Sequence, residues 1–404
     1  MAIEILSIGN ELLSGFTINS NAAVIAQKLL PQGFSIDRVT LLPDDPLPLK
    51  AGIEEALKRS SFIITTGGLG PTGDDLTREI VAEIFETPLI YDETVAADLM
   101  QRFTSNLPTL KDQAMVPKGA HVLLNPIGTA PGFILGNQLI VLPGVPAQME
   151  ALLDPVIPFL HKHCPRKHYV KSLYFCQLSE QTVDPLLRTL EKENPGIQIG
   201  ICPSYGFLSV YIHAKDPQEL DPIADQIIQA YTPYYFSTTS KYIEVALQEW
   251  MVSHHQTLAC AESCTGGYLA ARITAISGAS DYFLGSIVSY SNALKKAALH
   301  VNPQSLQSHG AVSEAVVKEM AQGVLTLTGA DYALAVSGVA GPTGGTPEKP
   351  VGTVWGAVAT RDQVFTGQFL AKGGGKRELV IEYSATFLLS TLWRYLKHNH
   401  RPFT

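Results

Sequence analysis

Apolar and polar positions along the first 160 residues switch repeatedly between β-branched runs and a helical period. "IEILSIG" (3–9), "IDRVTLL" (36–42) and "FIITTGG" (62–68) are runs, and the stretches 19–30 and 47–58 between them carry apolar residues three and four apart. That order predicts βαβαβ and a doubly wound α/β sheet. A helix over 75–85, strands in "HVLLN", "GFILG" and "LIVLPG", and a helix over 147–161 complete a first domain, 1–165. "HKHCPRKHYVK" (161–171) reads as a linker. Strand "KSLYFC", a helix over 179–193, strands "IQIGIC" and "FLSVYIHA" and a helix over 217–231 predict a small α+β module, 166–242. A third pattern then fills 243–404 as an α/β domain. It has helices over 243–254, 265–274, 314–328 and 377–397, and strands at "TLACA", "FLGSIVSY", "YALAVSG" and "GTVWGAVAT".

Composition narrows the class. With 404 residues and 46% hydrophobic composition the chain can bury two or three cores. A net charge of −8 gives no overall positive field to gather phosphate backbones, so direct nucleic-acid binding is not expected. No uncharged apolar stretch reaches about 18 residues and the start lacks a charged n-region, so no membrane contact and a cytoplasmic location are expected. Five scattered cysteines without CxxC spacing fit a reduced compartment and no structural zinc.

Two glycine-rich strand-to-helix turns carry the candidate chemistry. In "TTGGLGPTGDDLTRE" (65–79), Gly67, Gly68, Gly70 and Gly73 let backbone N–H groups converge on an anion at a helix start. It is neither a Walker loop nor GxGxxG. Asp74 and Asp75 would repel a bare phosphate unless a divalent cation lies between, with Glu11 of "GNELLSG" as a further carboxylate; equally, Asp74 could cap the helix and Asp75 sit in its first turn. In "ACAESCTGGYLAA" (259–271), Ser263 stands between a strand and a helix, either as N-cap or as a nucleophile facing the N–H groups of Cys264, Thr265, Gly266 and Gly267. No histidine falls near a strand end to serve as its base. "YSNALK" instead offers Tyr290 and Lys295 at the end of another strand and the start of a helix, where a desolvated lysine could act if that strand adjoins the Ser263 strand; equally, Lys295 and Lys296 could be a solvated helix face. Cys264 is a rival nucleophile, because a helix start lowers a thiol pKa. The segment 337–353 supplies free N–H groups around Gly338, Gly341 and Gly344, suited to a ribose phosphate or a lid, and Arg377 offers a cation.

The motifs "IGNELLSG", "TTGGLGPTGDDLTRE", "GTAPG" and "LPGVP", with "AESCTGG", "YSNALK" and "VSGVAGPTGGTPEKPVGTVW", resemble the CinA family. The resemblance implies an N-terminal molybdopterin-binding-like domain, a KH-like middle module and a C-terminal amidohydrolase domain. It implies deamidation of nicotinamide mononucleotide (NMN) by Ser263, Lys295 and Tyr290 without a cofactor, with Asn292 among the substrate-binding residues. It also implies hydrolysis of ADP-ribose with a divalent cation (Mg, Mn or Co), using Asn10, Gly67, Gly68, Gly70, Thr72 and Gly73 for phosphate and Asp74, Asp75 and Glu11 for metal. A homodimer is implied as well. Many relatives place an acid before the arginine and a second arginine four residues on, where this chain has Lys376 and Ile381. Residues 170–240 contain no GXXG clamp, so the middle module is expected to be a spacer. Two further readings stand beside this: an interaction protein of DNA uptake or recombination, and an N-terminal molybdopterin binder without hydrolysis.

Overall fold

The structure is a computed structural model that describes residues 2–73, 75–103, 110–164, 169–371, 373 and 375–404. It divides into two compact units, one of residues 1–170 with 214–217 and one of 171–213 with 218–404. The expected boundary at 165/166 falls on residues outside those described.

In the first unit, β1 (Ile3–Ile8) leads through a short helix α1 (Asn10–Leu13) to α2 (Ser20–Leu29), where the Asn19 side chain caps the first turn by accepting from Ala22 N. Then follow β2 (Arg38–Leu42), α3 (Pro46–Arg59), β3 (Phe62–Thr66) and α4 (Thr77–Ile84). The segment 86–117, unassigned by its pattern, forms a small antiparallel pair, β4 (Leu89–Tyr91) with β5 (Met115–Pro117), around α5 (Glu93–Arg102) and α6 (Leu110–Gln113). β6 (His121–Leu123), β7 (Gly132–Leu135), β8 (Leu139–Leu142) and α7 (Pro146–His163) close the unit. The main sheet runs β2-β1-β3-β8-β7-β6, parallel across its first four strands and antiparallel at β7 and β6. Ile3 and Ile5 pack with α2 and α7 on one face, and Leu6 and Ile8 with α3 and α4 on the other. Side chains alternate across a strand, so β1 is buried on both faces, as a doubly wound sheet requires.

The second unit begins with a sheet of order β10-β11-β9-β12, built from β9 (Tyr169–Cys176), β10 (Gln198–Ser204), β11 (Phe207–Ala214) and β12 (Tyr235–Ser237), with α8 (Glu180–Glu193) and α9 (Leu220–Ala230). Ser179 caps α8. After α10 (Ile243–Ser253) comes a second sheet ordered β14-β13-β15-β16-β17. Its elements in chain order are β13 (Leu258–Glu262), α11 (Tyr268–Thr274), β14 (Phe283–Val288), α12 (Asn292–Leu299), α13 (Pro303–His309), α14 (Glu314–Thr328), β15 (Tyr332–Gly338), β16 (Thr353–Thr360), β17 (Val364–Leu370) and α15 (Arg377–His398). Central β13 is parallel to both neighbours, so its C-terminal end opens at one edge of the sheet beside the ends of β14 and β15. One face carries alanines (Ala259, Ala261, Ala333, Ala335, Ala357 and Ala359), which allow α14 to approach closely; the other packs larger side chains against α10, α11 and α15.

One expected helix begins late. Instead of starting at Thr265, α11 starts at Tyr268, because Gly266 and Gly267 adopt φ of 61° and 98°, which no right-handed helix contains. Likewise α4 starts at Thr77 rather than 75, after a turn closed by the Asp75 side chain.

Candidate active site

β13 ends in Glu262, and its carboxylate is fully buried. It accepts from Thr265 Oγ1 at 2.7 Å, from Gly267 N, Leu269 N and Ala270 N at 3.0 Å each, and from Ser286 Oγ at 2.9 Å. The negative charge sits on the positive end of α11 and satisfies its orphan N–H groups. This corrects one expectation: Gly267 donates its N–H to Glu262 and cannot serve an oxyanion hole. Thr265 is similarly turned inward, 3% exposed. The backbone amides of Cys264 and Thr265 make no backbone hydrogen bond among the described residues, and Gly266 N donates to Ser263 O at 3.1 Å.

Ser263 follows Glu262, with its own N–H held by Val336 O of β15 at 3.0 Å. Its hydroxyl lies 2.9 Å from Lys295 Nζ, which donates to Ser289 O at 2.7 Å. Lys295 reaches it from the first turn of α12, a helix capped by Ser291 and placed by the strand β14 beside β13. Lys295 is 1% exposed, so it is no solvated helix face. Burial pulls its ammonium below the usual lysine range. Ser263 therefore touches a desolvated amine rather than capping α11, whose N-cap is Gly267 and whose start is held by Glu262.

Tyr290 does not join this pair. It is exposed, and its hydroxyl accepts from Arg377 Nη2 at 2.8 Å, while Arg377 Nη1 donates to Gly341 O at 2.9 Å. Arg377 thus links the β14 end to the glycine-rich segment after β15. Within that segment Gly341 and Gly344 take positive φ, and Gly338 backs closely on Val354. Asn292 is exposed at the start of α12. Cys264 corrects the other expectation. It is packed in the core, and burial pushes its thiol up to about 12, overriding the proximity of the helix start. At neutral pH it is a thiol, not a thiolate.

The first unit's glycine loop is also tightly built. A Cβ on Gly67 (φ 113°) would overlap Ile8 O, and one on Gly68 (φ 66°) would overlap Thr77 Oγ1, which donates to Gly67 O at 3.0 Å. The loops after β1 and β3 therefore meet, as expected, and Asn10 N donates to Asp44 Oδ2 at 2.9 Å. Leu76 gives α4 no side-chain cap; Thr77 N is taken by Gly68 O at 3.0 Å, while Arg78 N and Glu79 N make no hydrogen bond among the described residues and could face an anion. Thr72 and Gly73 form the exposed rim of the loop. Gly70 approaches the Asp75 carboxylate, which accepts from Thr72 N at 3.1 Å and from the Thr72 hydroxyl. Asp75 is thereby spent on the turn, and Glu11 folds back over Gly9. No group of three or more His, Cys, Asp or Glu able to hold a metal exists among the described residues, and Asp74 lies outside them. The expected cation site of Asp74, Asp75 and Glu11 therefore has one of its three carboxylates outside the described residues. Arg78, unnoticed in the sequence, is 5% exposed and ties the loop to 112–115 by donating to Asp112 O and Met115 O.

Among the described residues no helix is long and apolar enough to cross a membrane. A model described as the CinA C-terminal domain matches residues 240–396, and one described as a probable molybdopterin binding domain matches residues 4–162. A CinA-like protein of Chlorobium chlorochromatii is 36% identical over 98% of this chain and 98% of its own length. Another, of Desulfosudis oleivorans, is 40% identical over 91% of this chain and 93% of its own. A solved competence-damaged protein (CinA) superfamily structure from Klebsiella pneumoniae shares 38% identity over 39% of this chain and 96% of that one, with a TM-score of 0.37. The chain belongs to the CinA family, with a molybdopterin-binding-like domain at its N-terminal end and the CinA domain at its C-terminal end.

Proposed function

We propose that the second unit hydrolyses the carboxamide of NMN to nicotinate mononucleotide and ammonia. The observation that carries this reading is the buried Lys295 amine 2.9 Å from the Ser263 hydroxyl. A serine needs a base, and a lysine serves only when neutral, which desolvation favours. Ser263 Oγ bonds to the carboxamide carbon as Lys295 takes its proton. The amides of Cys264 and Thr265, which make no backbone hydrogen bond among the described residues, are assigned as the donors to the tetrahedral oxyanion. Lys295 returns the proton to the carboxamide nitrogen, the C–N bond breaks and ammonia leaves. Water, deprotonated by the same amine, then attacks the serine ester and frees the carboxylate product. Arg377, with Tyr290 and the Gly341 carbonyl, is assigned to the phosphate end of the substrate.

For the first unit the reading is anion binding at the glycine loop 67–73 and the N–H groups of Arg78 and Glu79 in the first turn of α4, with ADP-ribose as the ligand the family resemblance supplies. Asp75's commitment to Thr72 favours binding alone over hydrolysis by these side chains. Release of AMP from ADP-ribose by the intact chain with Mg, Mn or Co would overturn that preference.

The principal test is ammonia release from NMN by the purified chain. Loss of release in Ser263→Ala and in Lys295→Ala is expected. Full activity in Ser263→Ala would sink the Ser–Lys mechanism and return the interaction-protein reading.

A further inference from the structure

One cleft in the second unit has no part in the Ser263 site. It measures about 1090 Å³, within the range that holds a small ligand, and neither Ser263, Lys295, Tyr290 nor Arg377 lines it. It lies between the β10–β11 hairpin turn and the helix α15.

Its polar end is Arg394, on the last turns of α15, 7% exposed. A guanidinium this deeply buried ordinarily has a carboxylate partner. Arg394 has no ion-pair partner among the described residues: Nε donates to Pro233 O at 3.1 Å, Nη1 to Gln177 Oε1 at 2.6 Å, and the plane lies over Tyr234 at 4.6 Å from its ring centre. No hydrogen bond is formed by Nη2 among the described residues, yet it is not one of the sealed-off polar atoms, so it keeps access to the cleft that Arg394 lines. The other charged or titratable side chains on the cleft wall are Glu180, His400 and the tyrosines Tyr205, Tyr234 and Tyr383, and Thr404 also lines it.

Gln177 fixes the arginine. It sits at φ 53°, a conformation rare for a residue with a side chain, and its N–H and both ends of its side-chain amide are engaged. Its N–H donates to Gly206 O at 2.8 Å, its amide NH₂ to Phe387 O at 3.0 Å and Thr391 Oγ1 at 2.9 Å, and its Oε1 receives Arg394. A strained residue held by four hydrogen bonds to present one cation is a positioning device. The rest of the wall is aromatic: Tyr205, Phe207, Tyr383, Phe387 and Phe403. Rings stack on rings, and an anion answers the unpaired guanidinium.

We infer that this cleft is a second ligand site, distinct from the Ser263 site, for a planar aromatic ring carrying a phosphate or carboxylate. A mononucleotide and an aromatic acid share that chemistry, and two probes separate them.

Calorimetric titration of the full chain with AMP, 4-hydroxybenzoate, adenosine and inorganic phosphate tests the inference. AMP or 4-hydroxybenzoate should bind with Kd below about 1 mM, adenosine and phosphate far more weakly, because ring and anion must act together. Arg394→Gln should weaken binding by about tenfold or more, as loss of a charge-assisted bond does. Tyr205→Ala, at an exposed hairpin turn, should also weaken it, and decides the matter if Arg394→Gln fails to fold by circular dichroism. Arg377→Gln, which alters only the NMN site, should leave it unchanged. Binding of neither probe, or equal affinity in wild type and Tyr205→Ala, or loss in Arg377→Gln instead, would overturn the inference.

Discussion

The two units each use a strand, a pair of positive-φ glycines and a helix, but they place the carboxylate differently. In the second unit the acid precedes the glycines. Glu262 folds into the start of α11, consumes its N–H groups, and so excludes a phosphate from that helix end. What the turn presents instead is Ser263, next to a buried amine. In the first unit the acid follows the glycines. Asp75 closes the turn on Thr72, and among the described residues no side chain takes the N–H groups of Arg78 and Glu79 at the start of α4. The two proposed roles, covalent chemistry at one turn and anion holding at the other, follow from which N–H groups a side chain has already taken.

The sharpest break of that contrast is Lys295→Met. It should lower NMN turnover by roughly 10³-fold or more, since it removes the amine that contacts Ser263 Oγ. It should also raise stability by about 1 kcal/mol, read as a higher urea midpoint, because a buried cation without a carboxylate is costly. The same lysine sets the pH dependence. Its folded pKa is lowered, so the rate should climb with pH through that lowered value, below the ordinary lysine range near 10.4. The unfolded chain holds the proton more tightly. Wild-type stability should therefore rise with pH between the folded and unfolded pKa, a slope that Lys295→Met removes.

Glu262→Gln tests the second unit's capping. The amide has one acceptor where the carboxylate has two, and turns an NH₂ toward donors, so a loss of about 3 kcal/mol is expected by denaturant unfolding. Gly68→Ala tests the first unit's loop. It forces a positive φ and an overlap with Thr77, and should cost about 2 kcal/mol and abolish ADP-ribose binding by calorimetry, with NMN turnover unchanged. The smallest effect is Cys264→Ala: turnover within about threefold of wild type and a stability loss of about 1 kcal/mol. A severe loss of turnover in a folded Cys264→Ala would reinstate the thiol.

Much of this was legible from residue order. The first unit's alternating layers and the ends of β13 and β14 follow from the periodicity, and parallel neighbours bring Ser263 and Lys295 together. The role of Glu262 was not legible, because it exists only once α11 closes on the carboxylate five to eight residues ahead of its donors. A buried acid at a strand end before two glycines is the signal that could have revealed it. The bond between Tyr290 and Arg377 spans 87 positions and has no local trace. The thiol of Cys264 misled for a related reason: helix-start proximity is visible in sequence, whereas the burial that outweighs it is a tertiary property.

In the proposed mechanism Ser263, activated by Lys295, forms the bond to the carboxamide carbon. Acid-quenching the Cys264→Ala chain during NMN turnover and mass-mapping its peptides tests this most directly. The prediction is a nicotinate mononucleotide ester on Ser263, absent in Ser263→Ala, which should also release no ammonia. Sustained ammonia release by Ser263→Ala, or an adduct on any other side chain, would contradict it.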